Sequence, residues 1–189
     1  PEQAHLISET PSPMVMAARY IKQRDPGGKV VFIGPCVAKK KEFRLGKTMG
    51  AVDCVLTFEE LYALFESRGL DVAQLEDTEL DQASGYGRTF ARSGGVAAAV
   101  AEALKEQGSD FALKANPCSG FEACKLAFLK AAKGVGDFNF IEGMGCEGGC
   151  VQGPAQLIRS PRNQGDVERH ARQAEGRTIQ NAVEAAQGT

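Results

Sequence analysis

Tryptophan is absent from this chain of 189 residues, and there are only two histidines. Neither sign of charge dominates: 22 Lys and Arg face 24 Asp and Glu, a net charge of −2 with a pI near 5.8. That balance gives no electrostatic basis for recruiting nucleic acid or an anionic membrane. No apolar run approaches the roughly 20 residues that a membrane helix needs, so no membrane span is expected. Residues 1–10 are polar and mixed, unlike a signal peptide. The chain also lacks an initial Met, which is expected of a segment cut from a longer protein. No internal repeat or low-complexity tract stands out.

What is present is an ordinary globular composition, 43% hydrophobic and 24% charged, on a chain long enough to bury a real core. It also carries six cysteines: Cys36, Cys54, Cys118, Cys124, Cys146 and Cys150. A chain of this size does not need disulfide staples, so metal-ligating or buried free thiols in a reducing, cytoplasmic setting are expected instead.

The apolar pattern predicts a helix over 11–24, with Ser12 as its cap and Pro13 in its first turn. Continuously apolar runs at 29–33 and 51–56 predict strands buried on both faces. Thr57 and Glu60 form a capping box opening a helix that ends at Gly69. Residues 71–92 read as a long irregular excursion. A helix follows from Ser93-Gly94-Gly95 to Gln107, then a strand at 110–115, a helix at 119–133 and a strand at 138–144. This alternation predicts an α/β fold: a small parallel β-sheet with flanking helices. The polar, Ala-rich stretch 166–187 reads as a helical tail.

Two stretches carry chemistry. Cys146-Glu147-Gly148-Gly149-Cys150 leaves the strand ending at Met144. Thiols so spaced can reach neighbouring metals if the loop folds tightly, and the glycines permit that by accepting positive φ. Their backbone N–H groups are expected to be available to cluster sulfides. Cys36 follows the first strand in Gly34-Pro35-Cys36-Val37-Ala38-Lys39-Lys40-Lys41-Glu42. It therefore lies at a strand's carboxyl end, the side where open α/β sheets place ligands. Lys39 has the spacing to fold back over Cys36, whereas Lys40 and Lys41 read as solvated. Cys54 is expected in the core, Cys124 inside a helix and Cys118 at that helix's start. His5 and His170 are expected to be solvated.

These residues resemble a known family. GPCVAKKKE is similar to the second signature of the [FeFe]-hydrogenase catalytic domain, Met-Pro-Cys-x-x-Lys-x-x-Glu. IEGMGCEGGCVQG is similar to the third, Glu-x-Met-x-Cys-x-Gly-Gly-Cys. VDCVLTFEEL, SGYGRTFARSGGV and SGFEACKLAFLKAAKG have counterparts in the same order, so the resemblance runs over about residues 6–157. It implies part of the two-lobed H-domain fold. The organisation it implies is the carboxyl-terminal part of an H-cluster-binding domain at 1–157, followed by a polar helical tail at 158–189.

The resemblance further implies that Cys36, Cys146 and Cys150 are three of the four thiolates holding the [4Fe–4S] part of the H-cluster, with Cys150 bridging to a di-iron subcluster. Lys39 would hydrogen-bond a cyanide there. Met144 would pack beside the bridging carbonyl and Phe90 near the dithiolate. Ser12 and Pro13 match a cyanide-contacting pair, Ser8 lies on the implied proton path, and Glu42 lies near the active site. The implied activity is reversible conversion of H2 to protons and electrons, or H2 sensing. The electron partner would be a ferredoxin or an in-chain iron–sulfur domain. The alternative is a non-catalytic iron–sulfur protein of the same superfamily, used in cluster assembly or as a scaffold.

The sequence departs from the pattern in three places. The first signature, which carries the fourth thiolate, would lie upstream of Pro1, so the cluster is expected to be absent or incomplete in this segment alone and its loops rearranged. Gly34 replaces the usual Met, which is expected to open space beside the di-iron site. Gln152-Gly153-Pro154-Ala155-Gln156 replaces a Gly-rich end. These changes resemble the divergent, sensory branch of the family.

Overall fold

The computed structural model describes residues 3–78, 83–174 and 178–188. The chain divides into two compact units. The first comprises residues 1–76 and 153–158, the second 77–152 and 159–189.

In the first unit, α1 (Pro13–Arg24) leads to β1 (Val31–Ile33), α2 (Lys39–Glu42), β2 (Cys54–Leu56) and α3 (Phe58–Ser67). β1 and β2 pair in parallel, Val31 with Cys54 and Ile33 with Leu56. The core joins one face of α1 to the segment leading into β2: Met14, Val15, Ala18, Ala51, Val52 and Val55, with Val30, Phe32 and Phe43 packed against them. Val15 is fully buried, which stabilises the unit by about 1.5–3 kcal/mol before entropic losses. α3 starts at the expected capping box. Thr57 Oγ1 accepts from the Glu60 N–H, and the Glu60 carboxylate accepts from the Thr57 N–H at 2.8 Å. Asp53 fixes the turn before β2. It accepts from the Lys22 ammonium at 2.8 Å and from the Val30 N–H at 2.9 Å, and these bonds bring its carboxyl down to about 2.

Ser12 sits at the N-cap position of α1 without making a side-chain cap. Its hydroxyl is directed elsewhere, as described below. Lys40 is not simply solvated either. Its ammonium pairs with Glu60 at 2.6 Å and donates to the Val55 carbonyl, tying α2 to the start of α3.

The second unit holds α4 (Gly85–Arg88), α5 (Gly95–Glu106), β3 (Ala115–Ser119), α6 (Phe121–Ala132), β4 (Phe140–Met144), α7 (Arg162–Arg172) and α8 (Ile179–Gly188). β3 and β4 also pair in parallel, Ala115 with Phe140 through to Ser119 with Met144. The parallel pairing is as expected, but among the described residues it is realised as two two-stranded sheets, one per unit.

β3 begins where the expected strand ends. Lys114 starts the ladder: its carbonyl accepts from Asn139 and Phe140, and its N–H donates to Asn139 Oδ1 at 2.7 Å. Pro117 lies within the strand and hides it from a propensity reading. A two-stranded sheet tolerates it because one edge needs no donor. Cys118 consequently lies in β3 and not at the start of α6.

The described parts of the stretch 71–92, residues 71–78 and 83–92, contain two capped turns. A 3-10 turn at Val72–Gln74 is capped by Asp71, and α4 is capped by Ser84, whose Oγ accepts from the Gly87 N–H. α4 packs on α7, and Arg88 Nη1 donates to the His170 carbonyl at 3.0 Å. α8 is anchored on α5 by Glu106, whose carboxylate accepts from the Ile179 and Gln180 N–H groups, both at 2.9 Å.

Candidate functional site

In the first unit the chain turns sharply after β1 and places half-buried Cys36 before the single turn of α2. α2 puts Lys39 and Glu42 one turn apart, so their charged ends meet: Lys39 Nζ lies 2.5 Å from Glu42 Oε2. From α1, Ser12 Oγ donates to Glu42 Oε1 at 2.5 Å. Two of the residues singled out in the sequence, Lys39 and Ser12, are thus gathered on the carboxylate of a third, Glu42. Burial pushes Glu42 up, but the bonds from Lys39 and Ser12 and the charges of Lys39 and Lys47 outweigh it. The net result lies below the ordinary value of 4.5. A carboxylate holding an ammonium on one oxygen and a hydroxyl on the other can orient both donors and relay a proton between them.

Pro13 occupies the first position of α1. Ser8 is exposed, and its hydroxyl accepts from the Thr10 N–H at 3.2 Å, a local turn separate from the Glu42 cluster. The space expected at Gly34 is taken up by Phe32, whose ring would stand 2.9 Å from a Cβ built there. The segment after the third signature returns to this unit, where the Ala155 N–H donates to the Pro35 carbonyl beside Cys36 at 3.2 Å.

In the second unit Cys146 and Cys150, both half-buried, lie in the loop that leaves β4. This loop is seated on residues 91–93. The Ser93 N–H donates to the Gly148 carbonyl at 3.1 Å, and the Val151 N–H to the Ala91 carbonyl at 2.8 Å. Gly148 and Gly149 have φ of 82° and 95°, values that favour glycine. A Cβ on Gly149 would meet the Ser93 nitrogen at 2.5 Å and the Ala91 oxygen at 2.6 Å. The glycines therefore serve close backbone approach as well as turning.

Their N–H groups are already engaged, contrary to the expectation that they stand available. Gly148 donates to Ser119 Oγ at 2.6 Å and Gly149 to the Cys146 carbonyl at 3.0 Å. The loop closes on itself, and Ser119, at the end of β3, supplies the remaining acceptor. Phe90 and Met144 are both half-buried and flank this seat, Phe90 immediately before residues 91–93 and Met144 at the end of β4.

Glu142, in the third signature, is the residue that sequence reasoning left without a role. It is 5% exposed, and its carboxylate accepts from the Gly94 N–H at 2.8 Å and the Ala97 N–H at 2.7 Å. It thereby caps the N-terminus of α5 from an adjacent strand. Two signals pointed to it: a carboxylate inside an apolar strand, and a helix start at Gly94-Gly95 with no capping side chain of its own.

The expected thiolates are divided between the units, Cys36 in the first and Cys146 with Cys150 in the second. Among the described residues no three His, Cys, Asp or Glu side chains are gathered closely enough to hold a metal ion. The donor chemistry of the two thiol loops nevertheless suits an iron–sulfur group. Each places cysteine just beyond the carboxyl end of a parallel strand, and the Gly149 seat leaves no side chain between that loop and the backbone beneath it.

Comparison with known proteins agrees with this chemistry. The large subunit of the periplasmic [Fe] hydrogenase of Nitratidesulfovibrio vulgaris is 29% identical, over 68% of this chain and 38% of its own length. The HndD subunit of an NADP-reducing hydrogenase of Solidesulfovibrio fructosivorans is 30% identical over 74% of this chain and 29% of its own length. Iron hydrogenase 1 of Clostridium pasteurianum is 27% identical over 70% and 29%. The chain thus spans about a third of the length of these relatives.

Among solved structures, an [FeFe]-hydrogenase studied for oxygen inactivation of its H cluster superposes with a TM-score of 0.63 at 22% identity, covering 94% of this chain and 62% of its own. An [FeFe]-hydrogenase variant from Chlamydomonas reinhardtii superposes with a TM-score of 0.57 at 22% identity, covering 85% and 58%. These superpositions establish a shared fold. The profile of one family matches residues 1–154, which include Cys36, Cys146 and Cys150 in their signature contexts, and the chain belongs to that family: the iron only hydrogenase large subunit, C-terminal domain.

Proposed function

We propose that this chain is the cluster-holding part of a protein that interconverts H2 with protons and electrons, or that binds H2 as a signal. The observation that carries the reading is that one chain holds both signature thiol loops and, with Lys39 and Glu42 just after Cys36 in sequence, the Lys39–Glu42–Ser12 cluster. A plain cubane site has no need of that cluster. Cys36, Cys146 and Cys150 would hold the [4Fe–4S] part of an H-cluster, with Cys150 also meeting the di-iron subcluster. When bound, the cluster supplies the iron that polarises H2 and the reservoir for its electrons.

The protein's own residues bind, orient and exclude water. Lys39 offers an ammonium to an anionic ligand while Glu42 holds it in place. Glu42 and Ser12 form a hydrogen-bonded step along which a proton can pass, with Ser8 as the proposed next stage. Met144 and Phe90 would keep the pocket apolar, and Pro13 would fix the approach of Ser12. An iron–sulfur protein such as ferredoxin, or an in-chain iron–sulfur domain, is the proposed electron partner, and the reducing cytoplasm the proposed setting. Among the described residues no helix is long and apolar enough to cross a membrane.

H2 sensing finds support in the segment beyond the family match. α7 and α8 follow residue 154 and pack on α4 and α5 of the second unit. We assign residues 1–157 to cluster binding and 158–189 to this added segment. Such a segment could pass the state of the domain to a partner.

The test is an infrared spectrum of the full-length protein, matured anaerobically, in the region where metal-bound CO and cyanide absorb. Bands that shift under H2 are expected. Their absence, with iron and sulfide bound and the maturation machinery shown to work, would instead establish a cubane-only protein.

A further inference from the structure

Three thiols have no part in that site, Cys54, Cys118 and Cys124, and the last two lie near each other. Cys118 lies in β3 and is 4% exposed, and Cys124 is a half-buried residue of the first turns of α6. Their side chains share one face of the β3–β4 sheet. Cys118 is in register with Gly143, and register partners on neighbouring parallel strands stand about 4.8 Å apart. A Cβ built on Gly143 would meet Cys124 Sγ at 3.5 Å, so that sulfur fills the space the glycine leaves beside Cys118. Independently, Cys124 Sγ lies 3.9 Å from the carbonyl oxygen of Cys118 and 3.7 Å from that of Met144. Cys118 Sγ itself lies 3.5 Å from the carbonyl oxygen of Asn116.

We propose that Cys118 and Cys124 form a reversible disulfide by exchange with a small-molecule disulfide. The Cys124 thiolate, on the more exposed side, attacks one sulfur of the reagent, and a reagent thiolate leaves. Cys118 then gives up its proton to solvent and attacks Cys124 Sγ, expelling the second reagent thiolate. The protein pair loses two electrons and two protons, and the reagent gains them as two thiols. Burial pushes the Cys118 thiol up, with Cys124 and Glu142 nearby adding to it. This makes Cys118 the resolving partner and Cys124 the one that attacks the outside reagent.

The bond would fasten the first turns of α6 to the strand whose Ser119 accepts the Gly148 N–H. It would also remove the thiol contact to the Met144 carbonyl, two residues before Cys146. It requires no bound cluster, so it stands or falls separately from the hydrogenase reading.

The experiment equilibrates the full-length, cluster-loaded protein anaerobically with oxidised glutathione, followed by acid quench, denaturation and alkylation. Trypsin releases Cys118 and Cys124 on one peptide, Ala115–Lys125, because no Lys or Arg separates them. That peptide should escape alkylation at both sulfurs and weigh about 2 Da less, the two thiol hydrogens. Cleavage after Glu122 should leave its halves joined until reductant is added. Cys118→Ser should stop at a glutathione adduct on Cys124, and Cys124→Ser should lose the signal entirely. Full alkylation of both thiols at every glutathione ratio would overturn the proposal, as would Cys118 or Cys124 linked to Cys54, Cys146, Cys150 or a second molecule.

Discussion

α3 of the first unit and α5 of the second are started by different means. In the first, α3 is opened by Thr57 and Glu60, three residues apart, each satisfying the other's backbone. In the second, α5 is capped by Glu142, 45 and 48 residues away from the N–H groups it holds. α8 is held by Glu106 across 73 and 74 residues. The loop bearing Cys146 and Cys150 rests likewise on a distant segment, residues 91–93. α3 is thus opened by a local device, as α4 is by Ser84, whereas α5 and the Cys146–Cys150 loop are held by long-range ones. Damage to a single side chain should therefore spread further in the second unit, because one carboxylate or one glycine there joins elements that share no sequence neighbourhood.

The sharpest way to test this difference is a pair of glycines. Gly149→Ala should cost about 3 kcal/mol, from left-handed strain plus a Cβ driven into backbone that cannot move aside. Gly50 has a similar φ of 83° but nothing within 4 Å of its would-be Cβ, so Gly50→Ala should cost only about 1 kcal/mol of strain. Urea unfolding of the two variants measures the gap, and equal costs would remove the close approach from the account. Next in size, Glu142→Ala should destabilise by about 2–3 kcal/mol, because a buried charged acceptor leaves two helix N–H groups unpaired. Amide exchange should then rise first in the opening turn of α5. Rapid exchange confined to β4 would contradict the capping role.

The same division explains what could be read from the sequence. α1, α3, α5 and α6 were legible because period and caps are local, and both thiol loops were legible because each follows a short apolar run. β3 was not, since Pro117 disguises it and its register is decided by Asn139 and Phe140. Ser12 looked like a cap because its position suited one, but the Glu42 carboxylate competes for its hydroxyl and wins at 2.5 Å. Lys40 looked solvated until β2 and α3 brought Glu60 to it. In each case the missing information was the partner, which only tertiary structure supplies. The splitting of one expected sheet into two has the same origin, because strand order is set by packing and not by any strand alone.

Within the first unit the local device can be tested directly. Thr57→Ala should cost about 1 kcal/mol, the ordinary value of a lost cap, measured by thermal unfolding. A cost as large as that of Glu142→Ala would show that the first unit depends on its caps as heavily as the second.

The smallest expected effect concerns Glu42, which links α1 to α2. Its carboxyl lies below 4.5 in the folded chain because the bonds from Lys39 and Ser12 outweigh its burial. A folded value below the unfolded one means that the unfolded chain takes up the proton more readily. Glu42 therefore contributes stability that is fully present above about 4.5 and fades as the pH falls through its folded value. Ser12→Ala should move the folded value back up, and Lys39→Met should move it further, since that removes a charge as well as a bond. Carbon-labelled glutamate followed by NMR across the acid range gives the shift, and unfolding at pH 7 and pH 4 gives the stability. If Ser12→Ala leaves the Glu42 titration unmoved, the hydroxyl is not held on the carboxylate. The cluster would then reduce to an ion pair along one turn of α2, and the link from α1, with the proton step drawn through it, would be lost.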